Sequence, residues 1–298
     1  MIESMWEQWL WRPRPVSRPR LRIVAFPCAG GSSASFRPWL EWLPADVELL
    51  AVAYPGRGMR VQHPFPASLV SLAQDVARAW SDYAHGVNEA PAVFFGHSMG
   101  ALVAYESQLI LQGWASRFQA SELMVAARHS PDSPVVMGSI AQAARASSEN
   151  ESASIEPIAS EHLVHTLPTD QFRAVIRQLG GTPQEALDHP ELWALLEPML
   201  RNDIRLIEQW SYENQSPLTV PVTAWHGLDD RWVRRVDMQA WRGMSDAGFE
   251  LQEIAGDHFF PIAPNNRDFP RVMLAAIQRV EDRSALQART ELFEPVLS

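Results

Sequence analysis

The sequence predicts an α/β fold: a mostly parallel central sheet covered by helices, with a helical insertion late in the chain. Three observations carry this. Short runs that are apolar on both faces alternate with segments of helical spacing. The alternation stops after the fourth run and resumes near Val220. Between these points, Glu161 to Gln209 reads as helical throughout.

Residues 1–20 form an N-terminal arm rich in Trp, Arg and Pro. Pro13, Pro15 and Pro19 argue against a regular element there, and the tryptophans are expected to pack on the body. The first part of the core spans 21–136. Leu21 to Phe26 is a strand that runs into the glycine loop Pro27-Cys28-Ala29-Gly30-Gly31. Val47 to Tyr54 is a second buried strand, closed by Pro55-Gly56. Ser68 to Tyr83 carries Leu69, Leu72, Val76, Ala79, Trp80 and Tyr83 at helical spacing. Ala92 to Phe95 is a third strand, Met99 to Leu111 a helix and Glu122 to Ala126 a fourth strand.

Residues 137–160 are expected to be a flexible linker, because Gly138 to Ser154 is mostly Ala, Ser and Glu with Ile140 its only large apolar residue. The helical insertion covers 161–212. Within it, Thr182-Pro183-Gln184-Glu185 matches a capping box with Pro at the first helical position. Pro190 to Gln209 is a longer helix with a kink expected at Pro198. The second part of the core, 213–282, holds a strand at Val220 to Trp225, a helix near Val233 to Ser245, a strand at Phe249 to Ile254 and a helix near Pro270 to Val280. Residues 283–298 are a C-terminal tail.

Composition narrows the chemistry. All 25 basic residues other than histidine are arginine, and the net charge is −10. Without lysine there is no Walker-type P-loop, no kinase strand lysine and no Schiff-base amine in its usual form. The acidic balance argues against nucleic-acid binding. The single cysteine, Cys28, excludes an intramolecular disulfide and a cysteine-based zinc cage. No run of about 18 apolar residues suggests a membrane span, and the start has no basic n-region of a secretory signal, so the cytoplasm is the expected location.

Gly96-His97-Ser98-Met99-Gly100 fits G-x-S-x-G, with an apolar strand before it and a helix after it. That context makes Ser98 a candidate nucleophile on a tight strand-to-helix turn. Hydrolases with this turn carry serine, acid and histidine in that chain order. Of the later histidines, His258 in Gly256-Asp257-His258-Phe259-Phe260 directly follows the last strand, at the sheet edge where Ser98 belongs. His226 is its competitor, while His162, His165 and His189 fall in the insertion. Asp257 reads as a turn former. The acid is expected after Val220 to Trp225, where Asp229 and Asp230 stand side by side; spacing does not choose between them. The oxyanion hole needs two N–H groups, one from Met99 and one from the loop at Cys28 to Gly31. Cys28, with no histidine partner in that loop, reads as a buried structural thiol.

Phe26-Pro-Cys-Ala-Gly-Gly31, Ala53-Tyr-Pro-Gly-Arg-Gly58, Gly96-His-Ser-Met-Gly-Ala-Leu-Val-Ala-Tyr-Glu106, Leu179-Gly-Gly-Thr-Pro183 and Gly256-Asp-His-Phe-Phe260 resemble the type II thioesterases, from about Arg20 to Val280. These are stand-alone α/β-hydrolases that accompany modular polyketide and non-ribosomal peptide synthases. The resemblance implies an α/β-hydrolase fold with the insertion as a lid over the acyl chamber. It implies Ser98 as nucleophile, Asp230 as acid, His258 as base, and Ala29 and Met99 as oxyanion donors. It also implies hydrolysis of acyl groups from the phosphopantetheine arm of acyl or peptidyl carrier proteins, with no cofactor and no metal. Two departures are the length of the 138–154 linker and Cys28, where the family commonly has His or an aromatic residue.

Leu192, Trp193, Leu196, Met199, Leu200, Ile204 and Ile207 follow helical spacing in the insertion, either packing it on the body or lining the chamber. An acidic carrier protein would have to dock on arginines, at Arg12 to Arg22 or at Arg231, Arg234 and Arg235. The same triad could serve a general serine esterase, or an acyltransferase or cyclase in which an alcohol or amine replaces water. A non-catalytic binding module on this scaffold is the alternative outside enzymes.

Overall fold

The computed structural model describes residues 4–87, 89–133, 163–213 and 215–293, with side chains to 286. The expected 137–160 linker falls outside the described residues.

The chain opens with α1 (Met5–Trp9), then β1 (Leu10–Trp11), β2 (Leu21–Phe26), a 3₁₀ helix at Ser33–Glu41, and β3 (Val47–Val52). Next come α2 (Leu69–His85), β4 (Ala92–His97), α3 (Met99–Gly113) and β5 (Glu122–Ala126). The insertion holds α4 (Thr169–Leu179), α5 (Gln184–Asp188) and α6 (Pro190–Gln209). The fold closes with β6 (Val222–Gly227), α7 (Arg235–Gln239), β7 (Phe249–Ile254) and α8 (Asp268–Phe293).

The strands form one sheet in the order β1-β3-β2-β4-β5-β6-β7. Every pair is parallel except β1 with β3. The alternation of a strand's side chains decides which layer each residue joins. In β2, Val24 and Phe26 pack with α2, α3 and Trp241, whereas Leu21, Ile23 and Ala25 pack with Phe36, Trp39 and the buried face of α8. Covering on both faces explains why β2 to β6 contain no exposed position. All parallel strands therefore end at one sheet edge, where the connecting loops meet.

Four sequence expectations change. The arm is not devoid of regular structure: its prolines act only beyond Trp11, leaving Met5 to Trp11 free to form α1 and β1, with Leu10 opposite Val52. Trp9 is buried, and Trp6 meets Tyr83 edge-on at 5.2 Å. The insertion is not helical throughout, because Gly180 and Gly181 both take positive φ and separate α4 from α5. The capping box is not formed; Pro183, extended at ψ 136°, takes the cap position without a side-chain bond, and the helix starts at Gln184. Finally, α8 continues to Phe293 rather than ending near Val280. Phe269, Met273, Ala276, Ile277 and Val280 bury its first half, and an Arg283–Glu122 ion pair ties down the start of its extension.

Candidate active site

Ser98 is held at φ 53°, ψ −115°, between the end of β4 and the first residue of α3. An L-residue tolerates that conformation only when its surroundings over-determine it. Here the Ser98 N–H donates to the Ala126 carbonyl at 2.9 Å. The flanking glycines are required by space: a Cβ at Gly96 would lie 2.4 Å from the Ala101 Cα, and one at Gly100 would lie 2.1 Å from the Phe26 carbonyl oxygen. The turn therefore lies tightly against the end of β2 and lifts Ser98 to the sheet edge.

His258 and Asp230 reach the same point from the loops after β7 and β6. The Ser98 hydroxyl donates to His258 Nε2 at 3.0 Å, and His258 Nδ1–H donates to Asp230 Oδ2 at 2.9 Å. The other Asp230 oxygen accepts the N–H groups of Trp232 at 2.9 Å and Val233 at 3.1 Å. Burial alone would raise the Asp230 pKa. The His258 bond and charge and the two backbone donors outweigh it and hold the carboxyl below its ordinary value. His97 Nε2–H donates to the His258 carbonyl at 2.8 Å. Burial first, and then the neighbouring His258, push His97 down to about 3, so it stays neutral while it holds the His258 backbone.

The other candidates sit elsewhere. Asp229 is exposed, with its N–H bonded to the Gly256 carbonyl. Asp257 accepts the Phe259 N–H at 2.9 Å and shapes the turn. His226 contacts the Val233 carbonyl at 3.0 Å and lies 3.6 Å from Glu253, away from Ser98. Cys28 is buried, and burial drives its thiol up to about 12, leaving it a poor nucleophile.

The glycine loop is fixed by contacts that no short motif reveals. Arg57, after β3, pairs with Asp203 of α6 through two bonds of 2.6 and 2.5 Å. Asp203 also accepts the Gly30 N–H at 2.8 Å, and Arg57 reaches the Gly31 carbonyl at 3.1 Å. Both side chains are buried. A residue of the insertion thus sets the backbone directly beside Ala29. Neither the Ala29 N–H nor the Met99 N–H donates to any described residue, and Met99 opens α3, where helix N–H groups lack helical partners.

Ser98, His258 and Ala29 open on a cavity of ≈ 210 Å³. Its roof comes from the insertion: Ile176 and Leu179 of α4, Gly180 to Thr182, and Leu200, Ile204 and Ile207 of α6. Trp193 and Met199 instead pack inside the insertion with Phe172 and Val175, and Leu192 is exposed. At Gly181, a Cβ would fall 2.3 Å from the Phe259 ring, so the lid loop rests on the residue next to His258. Ala127, Arg128 and His129, the three residues after β5, also line the cavity. Sequence reasoning passed over all three; their place after a parallel strand, at the edge shared with Ser98, was the available signal. Among the described residues no cluster of His, Cys, Asp or Glu has metal-site geometry.

A family model described as "Thioesterase domain" matches residues 21–273. Thioesterase PikA5 of Streptomyces venezuelae is 32% identical over 252 residues, covering 85% of this chain and 79% of its own. Gramicidin S biosynthesis protein GrsT of Aneurinibacillus migulanus is 29% identical over 257 residues, 86% of this chain and 89% of its own. Among solved structures, RedJ, the thioesterase from the prodiginine biosynthetic pathway in Streptomyces coelicolor, matches with a TM-score of 0.69 at 28% identity, covering 91% of this chain and 98% of RedJ.

Proposed function

The chain belongs to the thioesterase domain family, and on that premise we propose that it releases acyl groups from the phosphopantetheine arm of acyl or peptidyl carrier proteins, as a type II editing enzyme of polyketide or non-ribosomal peptide synthases. The observation that carries this reading is the continuous Ser98–His258–Asp230 hydrogen-bond chain, opening on a largely apolar chamber roofed by the insertion. A relative named for gramicidin S biosynthesis and a solved thioesterase from the prodiginine biosynthetic pathway support this biological setting.

In this mechanism His258 takes the Ser98 proton as Ser98 attacks the thioester carbonyl. Asp230 holds the imidazole in the required tautomer and balances its charge. The Ala29 and Met99 N–H groups receive the oxyanion. The pantetheine thiol departs, and water activated by His258 frees the acid and restores Ser98. Thiolate is a good leaving group, so the acid demand on His258 is modest. The cavity is smaller than the roughly 300–1,000 Å³ of common ligand pockets, which favours short acyl groups.

Docking falls to Arg231, Arg234 and Arg235, which are exposed beside the Asp230 loop. Arg234 pairs with Asp237 and Arg235 with Glu253 at the surface, whereas in the other cluster Arg12 and Arg22 pair with Glu48, Arg14 donates to three carbonyls and Arg20 pairs with Asp46 and Glu281, leaving Arg18 exposed. The reading places the protein in the cytoplasm beside its carrier partner. Among the described residues no helix is long and apolar enough to cross a membrane.

The test compares a carrier-bound acyl thioester with an oxygen ester of equal chain length, with the product weighed by mass spectrometry. The reading expects faster turnover of the thioester and a free acid product. An oxygen-ester preference would make the protein a general esterase; an ester or amide product would make it an acyltransferase or cyclase.

A further inference from the structure

Among the described residues four arginines are nearly inaccessible to solvent, and three of them have partners. Arg22 pairs with Glu48, Arg57 with Asp203, and Arg60 lies 3.7 Å from the Trp9 ring centre while donating to the Ala53 carbonyl. Arg128, 7% exposed, is different. Its backbone is fixed, because its carbonyl accepts the Trp241 indole N–H at 2.7 Å and its N–H meets Met238 Sδ at 3.4 Å. Its guanidinium makes no hydrogen bond or ion pair with any described residue; Nε is buried without an acceptor, as in Arg57 and Arg60, but here no other guanidinium nitrogen has a protein partner either. Burial lowers its pKa only to about 10, so it remains a cation at neutral pH. Neighbouring His129 offers no countercharge, because an imidazole is neutral or cationic; burial, and next Arg128 itself, depress it to about 4, so it stays neutral. Asp237, 3.5 Å from His129, is engaged by Arg234.

An isolated buried cation is costly unless something pairs with it. Arg128 lines the chamber that holds Ser98, and it stands two residues beyond Ala126, whose carbonyl accepts the Ser98 N–H. We propose that Arg128 is an anion subsite within the chamber, which pairs with a carboxylate carried on the acyl chain and makes carboxyacyl thioesters preferred substrates. The guanidinium fork matches a carboxylate bidentately. A phosphate offers the same chemistry, but that of the pantetheine arm is joined to the carrier protein, at the far end from the thioester. Arg128 lines the same chamber as Ser98, where the acyl end of a thioester would lie. This inference rests on the thioesterase reading and names its substrate class.

The experiment measures kcat/KM for malonyl-, succinyl- and glutaryl-pantetheine against the ω-amide of each, and for butyryl-pantetheine. Wild-type protein should prefer at least one carboxyacyl group over its amide by about 10- to 100-fold, the range of a charge-assisted bond. That preference should collapse in Arg128→Met and be partly kept in Arg128→Lys. Equal turnover of carboxylate and amide by wild-type protein, which needs no variant to fold, would overturn the subsite. So would an Arg128→Met loss that appears only when 4′-phosphopantetheine replaces pantetheine, which would assign Arg128 to the phosphate. Butyryl turnover without a carboxylate preference sinks the subsite alone; no hydrolysis of any thioester sinks the thioesterase reading with it.

Discussion

Ser98 is the residue on which the geometry converges, and its strained backbone is the reason it can. Held at φ 53° by Gly96, Gly100 and the Ala126 carbonyl, its hydroxyl is placed 3.0 Å from His258 before substrate arrives. Ser98→Ala should lower acyl-pantetheine hydrolysis by about 10⁴–10⁶-fold. Asp230→Asn should cost about 10⁴-fold by favouring the wrong imidazole tautomer, while Asp229→Asn should change little; steady-state kinetics on the three proteins separates them. His97 gives a stability signature. Its folded pKa of about 3 lies below the ordinary 6.5, so below pH 6.5 the unfolded chain takes up a proton that the folded chain refuses. Stability from this group is complete above pH 6.5 and falls as the pH drops toward 3, by up to about 1.4 kcal/mol per unit. Urea unfolding at pH 7, 6 and 5 should show a shallower acid loss for His97→Gln than for wild-type protein. Ser98 and His258 were legible in the sequence because each sits in a short motif beside a strand. Asp229 and Asp230 were not separable, since adjacent loop residues differ only in where the fold points them. The Arg57–Asp203 pair was invisible because its partners are 146 positions apart.

At the scale of elements, α6 does two jobs with one face, since Asp203 stands three residues after Leu200 and four before Ile207. Leu200, Ile204 and Ile207 roof the chamber, while Asp203 grips Arg57 and the Gly30 N–H. The roof and the proposed oxyanion loop are thereby one mechanical unit. Asp203→Ala leaves the buried Arg57 cation unpaired and should destabilise the fold by about 3–5 kcal/mol in denaturant titration. The same variant should lower kcat more than it raises KM, by up to about 10²–10³-fold, the worth of one oxyanion donor. Ile204→Phe fills the chamber instead, and should shift the preferred acyl chain to shorter lengths in a chain-length series. The helical spacing of α6 was readable, but not which residues line the chamber, because packing and lining residues share one apolar alphabet. Local propensity also misjudged both ends of the fold. Prolines suppressed the reading of α1 and β1, and a polar run after Val280 looked like a tail although α8 continues through it.

Over the whole molecule, one feature was plain from the sequence and organises the rest: runs apolar on both faces require a parallel sheet with helices on each side, and a parallel sheet gathers its loops at one edge. Every group assigned to catalysis lies on that edge, contributed by the loops after β2, β4, β6 and β7. The charge balance acts at the same scale. With a net charge of −10 and no lysine, an acidic carrier must find arginine, and the exposed cluster beside the site is Arg231, Arg234 and Arg235. Reversing these charges should slow hydrolysis of acyl-carrier substrates while sparing acyl-pantetheine, and added salt should mimic the change in wild-type protein; an equal effect on both substrates would remove the docking role. The central claim is that thioester acyl groups pass through Ser98 on the way to water. Intact-mass and peptide analysis after rapid quenching with a panel of acyl-carrier proteins tests it directly. The account predicts an acyl adduct on the Ser98 peptide, release of free acid, and neither in Ser98→Ala; acid release at the wild-type rate from Ser98→Ala, or an adduct on another residue, would contradict it.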